Sequence, residues 1–137
     1  MSVLIDSSVW SLGLRRRKRN LNRDELRIFY AWEQILINGD AAIIGLIRKE
    51  VLSGVTTKQE FDSIQHRLAF TPDLPLDADT YILAAAFFNT CRAAGVSPGT
   101  IDMTICAAAH VHDTPIFSCD PDFAMYSKHL PIRLYEL

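Results

Sequence analysis

Short runs of aliphatic and β-branched residues alternate along the chain with longer stretches whose apolar positions recur at helical spacing, the pattern of βαβ units around a mainly parallel sheet. Val3-Leu4-Ile5 reads as a buried strand that stops at Asp6. Asn22 with Glu25 three residues on predicts a capping box, opening a helix whose stripe of Leu26, Phe29, Tyr30 and Ile37 ends before Gly39. Ala41 to Leu46 reads as a second strand, and Ile47 to Ser53 as a short helix closed by Gly54. Thr57 with Glu60 repeats the capping signature and opens a helix to about Ala69, after which Pro72 and Pro75 mark a turn. Asp77 caps the longest helix, which runs to about Ala94 and closes at Gly95. The turn Ser97-Pro98-Gly99 leads into an Ala-rich helix from Ile101 to about His112. Pro115 to Ser118 is a strand ending at Cys119-Asp120, Pro121 suits the first position of a final short helix, and Leu130 to Leu134 supply a last strand. The expectation is one α/β domain over 1–137, with a central, mainly parallel sheet of four to five strands flanked by helices.

Composition narrows the class. A chain of 137 residues, 49% hydrophobic and 22% charged, fits a single globular domain and excludes disordered or fibrous types. Fourteen basic against sixteen acidic residues leave a net charge of −2, so any nucleic-acid binding must come from local charge. Arg15-Arg16-Arg17-Lys18-Arg19 is such a local concentration, readable either as a solvated loop or as a hold on RNA phosphates. Cys91, Cys106 and Cys119 form no CxxC pair and read as reduced, packed thiols of a cytoplasmic protein. No basic region precedes the first apolar run, and no segment approaches the ~18 apolar residues of a membrane span, so neither a signal peptide nor a membrane partner is expected.

The chemistry lies in four acids. Asp6 and Asp120 stand just beyond apparent strand ends, where open α/β sheets bind ligands, while Glu50 and Asp102 lie in the early turns of helices. A lone Asp at such a place is most often a helix cap. Four converging carboxylates repel one another, and a hard divalent cation resolves that conflict. Mg²⁺ prefers oxygen ligands and keeps several waters, which suits phosphodiester hydrolysis. His110 and His112, two residues apart, point to different sides of their helix and do not form a metal pair. Ser8 stands where a haloacid-dehalogenase phosphatase needs a second Asp, a receiver domain needs a pair of acids where only Asp6 occurs, and there is no GxxxxGK[ST] loop.

Four blocks in order carry a resemblance: Val3-Leu4-Ile5-Asp6-Ser7-Ser8-Val9-Trp10, Ile47-Arg48-Lys49-Glu50-Val51-Leu52-Ser53-Gly54, Ile101-Asp102-Met103-Thr104-Ile105-Cys106-Ala107-Ala108-Ala109, and Pro115-Ile116-Phe117-Ser118-Cys119-Asp120-Pro121-Asp122-Phe123. Over nearly the whole chain the sequence resembles the PIN-domain nucleases, and among them the VapC-type toxins of toxin–antitoxin pairs. The resemblance carries the family's acids, catalytic and metal-binding, onto Asp6, Glu50, Asp102 and Asp120, with Asp122 the other candidate for the last position. It matches Ser7, Ser8 and Ser118 to small hydroxyl positions that orient carboxylates or water. It implies an endoribonuclease dependent on Mg²⁺, or Mn²⁺ in its place, that leaves a 5′-phosphate. It also implies a cognate antitoxin and a homodimer, for which the apolar helix positions Phe29, Tyr30, Trp32, Leu36, Tyr81, Phe87 and Phe88 offer surface. The competing expectation is a PIN-like module that binds RNA or protein without cutting.

Overall fold

The first strand of the chain is the middle strand of the sheet. A computed structural model describes residues 1–137 and gives β1 (Val3–Ile5), α1 (Ser7–Arg15), α2 (Arg23–Ile37), β2 (Ala41–Ala42) and α3 (Gly45–Leu52). They are followed by α4 (Lys58–Leu68), α5 (Ala78–Ala93), α6 (Thr100–Val111), β3 (Ile116–Phe117) and α7 (Asp122–Tyr126). Strand order is β2-β1-β3, all parallel, with Val3 opposite Ala41 and Ile5 opposite Phe117. The chain leaves β1 for one neighbour and later reaches the other side, which opens a crevice beyond the carboxyl ends of β1 and β3.

Three strands form where four to five are expected. Ile44 is already the N-cap of α3, so the second strand is cut from Ala41–Leu46 to two ladder residues. The strand expected at Leu130 to Leu134 shrinks to a single parallel bridge, Ile116 with Leu134, and one further bridge, Ile43 with Asp73, forms in the stretch expected to be a turn. Pro72, Pro75 and Pro131 flank these bridges and have no N–H to extend a ladder.

The predicted capping box at Asn22 and Glu25 forms in both directions. Thr57 accepts the Glu60 amide, but Glu60 does not reciprocate, and its carboxylate lies 3.8 Å from Arg15 Nε. Asp77 caps α5 through the Thr80 amide. Helix α1 is absent from the sequence expectation, because its Ser-Ser opening and internal Gly13 are poor helix formers. Tertiary packing forms it: Val9, Trp10 and Leu12 are buried, and Trp10 meets Trp32 of α2 edge to face at 6.0 Å.

Gly13 sets how closely α1 and α2 approach. A Cβ at this position would lie 2.6 Å from the Trp32 ring, and Trp32 is itself fixed in the core. Gly13→Ala should therefore cost about 1–3 kcal/mol by overpacking, despite the better helix propensity of Ala. Urea unfolding followed by Trp fluorescence checks this; an equal or raised midpoint would mean that the helices separate freely.

Candidate active site

Asp6 occupies the N-cap position of α1, yet its side chain caps nothing. Its Oδ2 accepts hydrogen bonds from Ser8 Oγ and Ser118 Oγ, both at 2.8 Å. Those serines are held in turn: Ser8 Oγ accepts the Cys119 amide at 3.0 Å and Ser118 Oγ the Asp120 amide at 2.9 Å. The carboxylate is 5% exposed. A short chain of hydroxyls thus ties the end of β1 to the loop after β3.

That loop carries Asp120 and leads into Asp122 at the start of α7, and the Asp122 amide donates to Asp120 Oδ1 at 2.9 Å. Asp102 arrives from the first turn of α6. One carboxylate oxygen from each of Asp102, Asp120 and Asp122 lies within 4.8 Å of the others, so both candidates for the last position share one cluster. Burial lifts the Asp102 pKa above its ordinary value, and the nearby charges of Asp6, Asp120 and Asp122 push the same way. A hydrogen bond from the Tyr126 hydroxyl, 3.0 Å from Asp102 Oδ2, opposes that rise. Burial also raises the Tyr126 phenol, which keeps it protonated as a donor. Tyr126 is a site residue that the sequence does not reveal, since nothing local distinguishes it from a core aromatic.

Glu50 lies in α3 and takes a hydrogen bond from Ser7 Oγ at the start of α1, which brings it to the same end of the sheet without entering the three-Asp cluster. None of the chain's ion pairs involves Asp6, Glu50, Asp102, Asp120 or Asp122, so no side-chain cation offsets this negative charge. Oxygen-only ligands with uncompensated charge fit a hard divalent ion such as Mg²⁺ or Mn²⁺.

Beside Asp6 opens a cleft of about 560 Å³ lined by Ser8, Ser11, Arg15, Arg16, Glu25, Glu60 and Cys119. The basic run divides here. Arg15 and Arg16 enter the cleft, whereas Lys18 sits 4.5 Å over the Tyr30 ring. Cys91 and Cys106 are buried free thiols as expected, but Cys119 is exposed, because the strand ends before it and the loop turns it to the cleft. His110 and His112 bind separate backbone carbonyls, those of Pro131 and Pro75.

The family model for the PIN domain matches residues 3–128. The chain superposes on FitAcB from Neisseria gonorrhoeae with a TM-score of 0.71 at 17% identity, covering 98% of this chain and 96% of that one. VapBC2 from Rickettsia felis, bound to a DNA fragment from its promoter, gives 0.76 at 13% identity over 100% and 99%. FitAB bound to the IR36 DNA fragment gives 0.74 at 18% over 97% and 93%. No curated protein matches by sequence.

The raised Asp102 pKa has a consequence for the cation-free chain. Because the folded value lies above the ordinary 3.8, ionisation of Asp102 removes stability as pH rises from 3.8 through the folded value. In EDTA, Asp102→Asn should therefore melt above wild type at neutral pH, by about 4 °C for each kcal/mol released. The difference should close as pH falls toward 3.8. Coincident melting curves at pH 7 would show that the charge is well tolerated.

Proposed function

The chain belongs to the PIN domain family, and from that premise we propose that it is a metal-dependent endoribonuclease, the toxin of a VapBC-like toxin–antitoxin pair. The observation that carries this reading is the convergence of Asp102, Asp120 and Asp122, with Asp6 and Glu50 close by, free of any side-chain cation at the crevice beyond β1 and β3.

Asp102 and Asp120, with Asp122 beside them, offer the oxygens for Mg²⁺ or Mn²⁺, and Asp6 and Glu50 complete the acidic site. Such an ion, when bound, supplies a Lewis acid that acidifies water and offsets charge on the phosphoryl oxygens. The protein's share is orientation. Ser8 and Ser118 fix the Asp6 carboxylate, and Ser7 steadies Glu50. Arg15 and Arg16 line the adjoining cleft, where they suit the RNA phosphates on one side of the scissile bond. Cleavage leaves a 5′-phosphate.

The partners follow from exposed apolar surface. Trp32 and Phe87 are core residues, but Tyr81 is 51% and Ile82 66% exposed on α5. A groove of about 350 Å³ between α5 and α6 is lined by Tyr81, Ala84, Phe88 and Met103. This surface suits a second copy of the chain and an apolar antitoxin segment. No helix is long and apolar enough to cross a membrane.

Asp6→Asn and Asp102→Asn should each reduce Mg²⁺- or Mn²⁺-dependent RNA cleavage to background while the circular dichroism spectrum is retained. Full cutting by Asp6→Asn, or by wild type in EDTA, would refute the metal-nuclease reading.

Replacing Arg15 and Arg16 together by Gln should weaken RNA binding and flatten its salt dependence by about 0.7 per lost phosphate contact. An unaltered slope would return the two arginines to a purely structural role.

Light scattering should give a dimer at micromolar concentration, and co-expression with a neighbouring small gene product should yield an inactive complex. A monomer that binds no apolar dye, or a complex with full nuclease activity, would count against these partners.

A further inference from the structure

Tyr126 stands between two groups that would ordinarily bond each other. Gly99 is the N-cap of α6 and Asp102 is its N3 residue, the positions at which a capping box returns the N3 carboxylate to the N-cap amide. Here the Gly99 amide donates to the Tyr126 hydroxyl oxygen at 3.3 Å, and that hydroxyl donates to Asp102 Oδ2 at 3.0 Å. Asp102 is thereby relieved of the capping task, and its Oδ1 accepts no hydrogen bond from the protein. The tyrosine has little freedom: it is 1% exposed and packs edge to face on Phe123 at 5.5 Å. Gly99 is matched to the arrangement, since a Cβ there would lie 2.9 Å from Asp102 Oδ2. Tyr126 closes α7, the helix that opens at Asp122, so one five-residue helix touches the acidic cluster at both ends.

We propose that Tyr126 is a positioning residue for the cation site: its buried hydroxyl, held by the Gly99 amide, fixes one oxygen of Asp102 so that the other is presented to a divalent ion beside Asp120 and Asp122. The proposal rests on the reading of Asp102 as a cation ligand. Partners that orient metal-binding carboxylates typically contribute 10- to 100-fold in affinity. A purely structural tyrosine would contribute to melting temperature and leave cation affinity alone.

Tyr126→Phe keeps the ring and removes only the hydroxyl. Mn²⁺ binding without RNA, read from the electron paramagnetic resonance of free Mn²⁺, should weaken by about 10- to 100-fold in this variant. The Mn²⁺ concentration for half-maximal RNA cleavage should rise by the same factor, with a smaller change in rate at saturation. Gly99→Ala, which retains the hydroxyl but crowds Oδ2, should weaken binding in the same direction; if Tyr126→Phe does not fold, unchanged Mn²⁺ affinity in Gly99→Ala overturns the positioning role. Asp102→Asn reports on the underlying reading. Loss of Mn²⁺ binding in Asp102→Asn with affinity within twofold of wild type in Tyr126→Phe would overturn the positioning role alone. Wild-type Mn²⁺ affinity in Asp102→Asn would overturn the cation reading, and the role of Tyr126 with it.

Discussion

A carboxylate taken out of water costs several kcal/mol unless donors replace its hydration, and Asp6 meets that demand with two serine hydroxyls in place of a cation. Hydrogen bonds to a charged acceptor contribute about 1.5–3 kcal/mol each, so Ser8 and Ser118 offset a large part of the burial. Each serine also accepts an amide from the loop after β3. The hydroxyls that make Asp6 tolerable are therefore the ones that place Asp120. Solvation of one buried charge and assembly of the acidic cluster are a single structural event, and the parallel pairing of β1 with β3 brings its two halves into reach.

Helix α6 supplies the opposing wall. Its residues from Met103 to Ala109 are all buried, so the helix is covered nearly all round and its first turn has no freedom to withdraw Asp102 from the other acids. Small side chains at Cys106, Ala107, Ala108 and Ala109 permit this close cover. Burial pushes the Cys106 thiol well above its usual range, which makes it an inert core residue one turn below the site. The raised Asp102 pKa is the electrostatic counterpart of the same packing: the backbone holds a carboxylate where water would not leave it.

The legible parts of this arrangement were those written in local sequence. Asp6 and Asp120 announce themselves because the apolar runs before them stop at an acid, and Asn22 with Glu25 marks a helix start that forms in both directions. Where local propensity is weak the reading fails. Helix α1 exists because Trp10 and Trp32 pack across a glycine that sequence periodicity counts as a breaker. Ile43 and Ile44 are good strand formers and extend the apparent second strand, although Gly45 already begins α3. Strand-end proximity favours Asp120 over Asp122, yet the turn after β3 brings both to Asp102. Tyr126 lies 24 positions from Asp102, and no short-range pattern links a phenol to a carboxylate at that distance.

The basic run divides, so that a chain of net charge −2 still keeps two arginines at the cleft beside Asp6. Arg16 pairs with Glu25 at 2.8 Å and Arg15 with Glu60 at 3.8 Å, so the cleft beside Asp6 is internally balanced. Both pairs are solvent-facing, and pairs of that kind contribute only about 0–1 kcal/mol. Exchanging either glutamate for another anion therefore costs little. Glu25 also closes the capping box with the Asn22 amide, so α2 keeps its N-terminal cap when Arg16 turns away. Glu60, by contrast, belongs to no reciprocal box, and its release unravels nothing in α4. The acids that neutralise Arg15 and Arg16 are thus ones whose structural duties do not depend on holding them, which leaves the two guanidiniums free to exchange one anion for another.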